Sequence, residues 1–315
     1  MVWILFLFLV FGLLALDLGV FHKENHQVSM KDSLKWTSVW VAVALLFGLV
    51  VYWLYDINWM NINQHGTKPG KAMLDYYTGY LIEESLSLDN IFVIALVFKF
   101  FKIEGKFQHN ILFWGIIGAV VFRLLMILVG AAFVRNFEYA TYVFGSILVY
   151  SAVKMLFEKE DDHENFKESF AVRALSKVFK IDWTIRDGRY FAFENGKRVA
   201  TAFFAALVVV EFSDIIFAVD SIPAIFSITT DPFIVFTSNI FAILGLRNLY
   251  FFLAGMLDKF HYMKFALIGV LFFVGIKMLL AHYYEISTNI SLIAILGLLT
   301  AGVLYSLYSS RHEKG

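Results

Sequence analysis

The chain of 315 residues is 60% hydrophobic and 18% aromatic, and only 17% of its residues are charged. This composition excludes a soluble globular domain of this size and indicates a polytopic membrane protein that has the lipid bilayer as a partner. The formal net charge of zero indicates no nucleic-acid partner, because such a partner requires clustered basic residues. The sequence contains no Cys, which excludes disulfides, thiolate metal ligands and Cys nucleophiles.

Apolar runs recur along the chain, and a helix of about 20 residues crosses a hydrocarbon core about 30 Å thick. The first run lacks the basic start and the small-residue cleavage site of a signal peptide, so it is interpreted as the first span. The sequence therefore predicts an all-α polytopic membrane protein with about nine transmembrane helices, near residues 1–21, 36–55, 76–98, 110–134, 138–157, 200–228, 233–257, 262–284 and 288–309.

The distribution of Lys and Arg predicts the orientation of the chain in the inner (plasma) membrane of the cell. Of the 26 basic residues, 22 lie outside the predicted spans when Lys264, at the edge of the eighth span, is counted with the connection before it. Nineteen of these 22 lie in the connections after odd-numbered spans and in the C-terminal tail. Because basic residues concentrate in cytoplasmic loops, we expect the N-terminus outside and the C-terminus in the cytoplasm.

One long connection, residues 159–199, is expected on the cytoplasmic side. An acidic run at residues 158–162 precedes a basic stretch. Asn195-Gly196 stands between two short apolar or aromatic stretches, which is a strong local signal for a β-hairpin. An isolated hairpin is only marginally stable in water, so a solvated linker with a local turn is the favoured interpretation.

A polar motif occurs twice within the apolar sequence. EESLSLDNIFVI at residues 83–94 aligns with DIIFAVDSIPAI at residues 214–225 at a constant offset of 131. The same order of an acid, five residues, a second acid and a small polar residue is present in both copies. The corresponding pairs are Glu83 and Asp214, Asp89 and Asp220, and Asn90 and Ser221.

The similarity continues beyond the motifs, since Arg123 corresponds to Arg247 and the tripeptide KML occurs at residues 154–156 and 277–279. Each copy covers three predicted spans, and three is an odd number, so the second copy is expected to cross the membrane in the opposite sense. Inverted repeats of this kind form the substrate sites of secondary transporters. The predicted organisation is two helices in 1–60, the first repeat in 75–158, the cytoplasmic loop in 159–199, the inverted repeat in 200–284, and the last helix and tail in 288–315.

The two acids of each motif would lie about 120° apart around an unbroken helix. Pro223 removes an amide donor from its helix, so we expect a local break near residues 220–223 and another near 87–90. Carboxylates, hydroxyls and an amide would then converge near the middle of the bilayer. The expected metal ligands are Glu83, Asp89, Asn90, Glu211, Asp214, Asp220 and Ser221.

All the expected ligands offer oxygen, which suits hard divalent cations such as Mn²⁺, Mg²⁺ and Ca²⁺, whereas zinc and copper favour Cys and His. Together with Glu84, the motif regions contain six acids, and the predicted spans contain four bases, a difference of −2 that complements one divalent cation. Any single acid can instead form a structural ion pair, but four bases cannot neutralise six acids. The bases, expected to serve as counter-ions or in gating, are Arg123, Lys154, Arg247 and Lys277.

Three stretches, GYLIEESLSLDNIFV, VVVEFSDIIFAVDSIPAIFSIT and FTSNIFAILGLRNLYFFLAGMLDKF, closely resemble the TerC family of integral membrane proteins, named for tellurium resistance and part of the LysE exporter superfamily. The resemblance implies manganese export from the cytosol. Glu84 departs from the family pattern, in which a basic residue is frequent. Carried over by motif, the residues implied to line the ion path are Glu83, Asp89, Asn90, Asp214, Asp220 and Ser221.

Three classes of function are compatible with a polytopic membrane protein: an exporter, an intramembrane enzyme and a scaffold. A divalent-cation exporter, with Mn²⁺ or else Ca²⁺ as the transported ion and no permanently bound cofactor, explains the duplication, the oxygen ligands and the acid surplus. An intramembrane aspartyl protease would also need paired acids, but the Gly-x-Gly-Asp signature is absent from the sequence, so we do not expect an enzyme. A membrane scaffold with protein partners in a metal or tellurite stress response is the alternative, and it leaves the acids unexplained.

The direction of transport adds a coupling requirement. Moving a divalent cation outward against an inside-negative potential costs about 4.6 kcal/mol per 100 mV. A carboxylate that releases the metal outside can take up a proton there, so we expect alternating access with proton antiport.

The basic-residue asymmetry generates a topology prediction. A reporter fused within residues 159–199 should report a cytoplasmic location, and one fused within 229–233 should report an external location. The reverse pair of results would contradict the inverted-repeat organisation, and two cytoplasmic results would mean that one span was miscounted.

Overall fold

The computed structural model of the chain describes residues 2–21, 30–63, 66–137, 139–157, 170–183, 188–194, 197–254, 263–284 and 286–312. Helices dominate these ranges, and three short strands lie between the sixth and seventh helices. The helices are α1 (Val2–Phe21), α2 (Met30–Asp56), α3 (Pro69–Phe100), α4 (Gly105–Asn136), α5 (Ala140–Phe157), α6 (Phe170–Val178), α7 (Ala202–Phe226), α8 (Pro232–Ala254), α9 (Met263–Leu280) and α10 (Thr288–His312), and the strands are β1 (Ile181–Asp182), β2 (Phe191–Glu194) and β3 (Lys197–Thr201).

Nine of these helices coincide with the nine predicted spans, which confirms an all-α polytopic membrane protein. Seven of them are long and apolar enough to cross a membrane by length and composition alone, and α1 contains a shorter apolar segment. The motif acids make α3 more polar, yet α3 packs against α2, α7 and α8, which all meet that criterion. Large apolar side chains on the outer helices, such as Phe8, Val129 and Ile293, are exposed, and lipid can cover them.

Helices α3, α4 and α5 pack against α7, α8 and α9 in a symmetric pattern. The first helices of the two triplets touch each other, and so do the second helices and the third helices. The cross-contacts also occur in matching pairs: α3 with α8 and α4 with α7, and α3 with α9 and α5 with α7. The contacts between the two triplets therefore occur in symmetric pairs, as an internal repeat predicts, whereas the contacts within each triplet do not all match. The opposite orientation of the repeats in a membrane stays a prediction.

Two glycines allow α5 and α9 to approach closely. A Cβ atom added to Gly275 would lie 2.8 Å from Cγ2 of Val149, 3.0 Å from the backbone N of Val149 and 3.1 Å from the carbonyl oxygen of Gly145. A Cβ atom on Gly145 would in turn lie 3.0 Å from the carbonyl oxygen of Gly275. Close backbone approach at small residues is a common basis for helix association in membranes.

Helix α8 is the central element of the bundle, and nearly all its side chains between Phe233 and Tyr250 are buried. Asp231 fixes its start, because Oδ1 accepts hydrogen bonds from the backbone N–H groups of Phe233 (2.9 Å) and Ile234 (3.4 Å). Tyr55 of α2 donates its hydroxyl to Oδ2 of Asp231 at 2.6 Å. This contact fixes the first turn of α8 against α2.

Both motif helices are continuous, so the predicted breaks near 220–223 and 87–90 are wrong. Pro223 lies inside α7 but only three residues before its last residue, Phe226. The amide that Pro223 lacks would have bonded the carbonyl of Val219, so the loss affects a single bond in the final turns. The helix remains regular, and its two acids point in different directions.

The connection before α7 forms a small folded unit, which corrects the interpretation of residues 159–199 as a solvated linker. Strands β2 and β3 pair antiparallel and β1 pairs parallel with β3. The hairpin is stable because it is not isolated: Phe191 packs on Phe204 with ring centroids 4.6 Å apart, and Trp183 stacks on Phe101 at 5.9 Å. Asn195, Gly196 and the acidic run at 158–162 lie outside the described residues.

This folded unit is also bonded to α4 and α7. Tyr190 donates its hydroxyl to the backbone oxygen of Asn110 at 3.2 Å, and burial raises the pKa of Tyr190 to about 12. The hydroxyl of Thr201 accepts a hydrogen bond from the backbone N–H of Phe204 at 3.3 Å and thereby caps α7. The unit therefore determines where α7 begins.

The contact between α5 and α9 generates a stability prediction. Gly275→Val should lower the stability of the protein by about 1–3 kcal/mol, because backbone atoms cannot move away from an added side chain. Gly297→Val is the matched control, since nothing lies within 4 Å of a Cβ atom at Gly297. Thermal unfolding in detergent measures both, and equal midpoints for the two variants would contradict the close contact.

Candidate functional site

Arg123 is the centre of a buried polar network that joins four helices. Its side chain on α4 is 1% exposed. Its guanidinium forms a close ion pair with Glu83 on α3 and a two-pronged contact with Asp214 on α7, with Nη2–Oδ1 at 3.0 Å and Nε–Oδ2 at 3.4 Å. Nη1 also donates to Oδ1 of Asn239 on α8 at 2.7 Å and to Oγ of Ser221 on α7 at 3.2 Å.

The network combines corresponding residues from both sequence copies. Glu83 and Asp214, which align at the offset of 131, bind the same guanidinium. Asn90 donates its amide to Oδ1 of Asp214 at 3.4 Å, and its counterpart Ser221 accepts from Arg123. Four of the seven predicted ligands are therefore brought together.

Helix α3 presents a stripe of oxygen atoms beside this network. Glu83, Ser87 and Asn90 are 0%, 1% and 4% exposed and follow the i, i+4, i+7 spacing of one helical face. Within the described ranges, Oε2 of Glu83, Oγ of Ser87 and Oδ1 of Asn90 have no hydrogen-bond partner. A buried polar atom without a partner is costly, so the stripe favours an additional ligand.

A small cavity adjoins the stripe, between α3, α4, α7 and α8. Asn90, Ser213, Asp214 and Arg247 supply polar groups to its wall, and apolar side chains form the rest. The volume of the cavity is about 20 Å³, enough for about one water molecule. The cavity accommodates a single small ligand beside Asp214.

Asp220 points away from this network, and Asp89 lies about 120° around α3 from Glu83, as expected for unbroken helices. Asp220 accepts a hydrogen bond from the hydroxyl of Ser151 on α5 at 2.6 Å. Asp89 is half-buried at the corresponding position of α3. Among the described residues, no three His, Cys, Asp or Glu side chains are grouped so as to hold a metal ion. The predicted site is thus divided between two faces of α3 and α7.

Glu211 and Glu84 are also half-buried. The carboxylate of Glu211 lies against Gly118 of α4, where a Cβ atom would collide with it. Oε2 of each of these two acids is buried and has no hydrogen-bond partner among the described residues. Glu211 lies one helical turn from Asp214, next to the cavity residue Val210.

The four predicted bases occupy different places. Arg123 is central, and Arg247, 1% exposed, lines the cavity beside the network. Lys154 is exposed on α5. Lys277 is buried on α9 and donates to Oγ of Ser291 on α10 at 2.9 Å.

Two polar contacts were not predicted from the sequence, those of Asn239 and Ser151. Asn239 had a recognisable signal, because an amide in the middle of the apolar α8 requires a polar partner. Ser151 had no such signal, since Ser can satisfy its hydroxyl within its own helix.

Comparisons with known proteins agree with this architecture. The model of the family described as "Integral membrane protein TerC family" matches residues 69–314. A membrane protein of Myxococcus xanthus, STKORF319, is 45% identical over 310 residues, which cover 98% of this chain and 93% of the relative. No solved structure matches the chain.

Two further relatives carry the name "Putative membrane-bound redox modulator Alx". The protein from Salmonella typhi is 41% identical over 301 residues, covering 95% of this chain and 92% of the relative. The protein from Escherichia coli strain K12 is 38% identical over 321 residues, covering 100% of this chain and 97% of the relative. The family match covers the six helices of both copies and all the residues of the Arg123 network, so the chain belongs to the TerC family of integral membrane proteins.

Proposed function

We propose that the protein exports a divalent cation, Mn²⁺, from the cytosol across the plasma membrane. The observation that carries this proposal is the meeting of Glu83 and Asp214, the corresponding acids of the two sequence copies, in the buried middle of the bundle. Ionisable groups at such depth are costly and mark ion pathways in membrane proteins. A substrate site between two repeats is the arrangement that transporters use.

The chemistry of the site supports a hard cation. The groups around Arg123 and along the α3 stripe offer carboxylate, amide and hydroxyl oxygens, which Mn²⁺ and Ca²⁺ prefer. Glu83, Asn90, Asp214 and Ser221 are the proposed ligands nearest Arg123. Asp89, Asp220 and Glu211 are proposed to line the path before and after this point.

Alternating access with proton antiport is the proposed mechanism. The matching contacts of the two helix triplets suit a rocking motion of one repeat against the other around a central site. Export against an inside-negative potential needs a coupling ion. Carboxylates that release the metal outside can take up protons there and carry them inward.

The redox role named for two relatives is a different activity. This chain has no Cys, so thiol-disulfide exchange is not available to its residues. A membrane scaffold in a stress-response complex is the alternative function, but it does not explain why the acids are buried. The cation exporter accounts for the acids and for their duplication.

Purified protein in liposomes tests the proposed function. We expect Mn²⁺ to cross the membrane in the presence of the protein, with a rate that increases with an opposing proton gradient. Ca²⁺ is measured in parallel to define the transported ion. Transport that ignores both the proton gradient and the external pH would contradict antiport, and no metal flux at all would contradict the exporter.

Amide substitutions test the central acids. Glu83→Gln and Asp214→Asn should each reduce Mn²⁺ flux to the level of protein-free liposomes, because the amide keeps the shape and removes the charge. The double variant should be no worse than either single variant, since groups that act as one unit are strongly non-additive.

Glu84→Gln is the matched control for these variants. Glu84 is adjacent in sequence but lies about 100° around α3 from Glu83, and we expect much of the flux to remain. Two partial defects that add, together with an equally severe Glu84→Gln defect, would indicate separate structural ion pairs instead of one site.

A further inference from the structure

We infer that the guanidinium of Arg123 is a tethered substitute for the transported cation. The guanidinium and the cation would bind Glu83 and Asp214 alternately. The inference rests on the proposed function and adds a role that a passive counter-ion would not have. Arg123 would compete directly with the substrate. The competition would keep the site from holding the metal too tightly to release it.

The first support is the way Arg123 is bound. A single guanidinium satisfies one acid from each sequence copy, with Asp214 held through both of its carboxylate oxygens. These two carboxylates are the charges that would attract a divalent cation most strongly. A cation that takes the carboxylate oxygens now bound by Arg123 must displace the guanidinium from them.

The second support is the incomplete use of the surrounding oxygens. A buried ion pair that serves structure alone is usually fully hydrogen-bonded, because uncompensated polar atoms are costly. Here Oε2 of Glu83, Oγ of Ser87 and Oδ1 of Asn90 lack hydrogen-bond partners within the described part of the chain. Arg123 therefore leaves acceptor oxygens on α3 that a cation would use.

The third support is that Arg123 also has neutral hydrogen-bond partners beside the two carboxylates. Oδ1 of Asn239 accepts from Nη1 at 2.7 Å, and Oγ of Ser221 accepts at 3.2 Å. Asn239 is not among the proposed metal ligands, so it can keep its hydrogen bond to the guanidinium after the carboxylates turn to the metal. The charged side chain is thus not left without partners when it is displaced.

The competition has a consequence for affinity. Removing the positive charge of Arg123 should increase the affinity of the protein for Mn²⁺ and slow its release. Arg123→Gln should lower the dissociation constant for Mn²⁺ by at least about tenfold, which corresponds to about 1.4 kcal/mol. Arg123→Lys keeps the charge but loses the two-pronged geometry, so its affinity should lie between those of Arg123→Gln and the unaltered protein.

Equilibrium binding of Mn²⁺ to the purified full-length protein measures these affinities, and flux in liposomes measures turnover. Thermal unfolding with and without Mn²⁺ is a second measurement, since Arg123→Gln leaves two acids uncompensated. We expect Arg123→Gln to be less stable than the unaltered protein without metal and to gain more stability from Mn²⁺. Arg135→Gln, the same change at an exposed site on α4, should alter neither affinity nor the gain.

The outcomes separate the inference from the proposed function. Tighter Mn²⁺ binding with slower flux in both Arg123 variants supports the tethered substitute. If the unaltered protein binds Mn²⁺ and both Arg123 variants bind it equally well or more weakly, the inference is overturned. Arg123 then has a structural role only, and the proposed exporter is unaffected. Absence of Mn²⁺ binding and flux in every protein overturns the proposed function together with the inference.

Discussion

The buried charge of Arg123 is the constraint on which the rest of the bundle depends. A guanidinium with 1% exposure must be compensated by neighbouring groups, and here its partners come from α3, α7 and α8. Each of these helices must therefore present its acceptor at the same depth as Arg123. The requirement fixes the rotation and the height of four helices at once, which non-directional packing of apolar side chains cannot do.

The regularity of α3 and α7 then divides the acids between two regions. Glu83 and Asp214 face α4 and α8, whereas Asp220, about 120° further round its helix, faces α5 and bonds Ser151. The same two helices thus connect an inner network with the pair formed by α5 and α9. That pair is held together by glycine-mediated backbone contact. Any change in the angle of α7 would affect both regions together.

Much of the architecture could be predicted from the sequence, because nine apolar runs fix nine helices and the repeated motif identifies Glu83 and Asp214 as partners. The break at Pro223 was predicted wrongly, since proline removes only one bond so near the end of α7. The hairpin after β1 was underestimated because it packs on Phe204 of α7, and because the neighbouring Trp183 stacks on Phe101, which follows α3 and is distant in sequence. The partner of Asn239 and the contact of Ser151 are determined by helix packing, which periodicity does not encode.

The cavity beside Asn90 and Asp214 has a consequence for ion discrimination. Its space of about 20 Å³ admits about one water-sized particle, so a divalent cation cannot enter it with a complete hydration shell. In the proposed export, an ion would exchange its waters for protein oxygens on the way. Mg²⁺ is smaller than Ca²⁺, but it loses its bound water less readily. If the proposed export uses this cavity, its narrowness would disfavour Mg²⁺ through the strength of its hydration, before any protein ligand distinguishes between the ions.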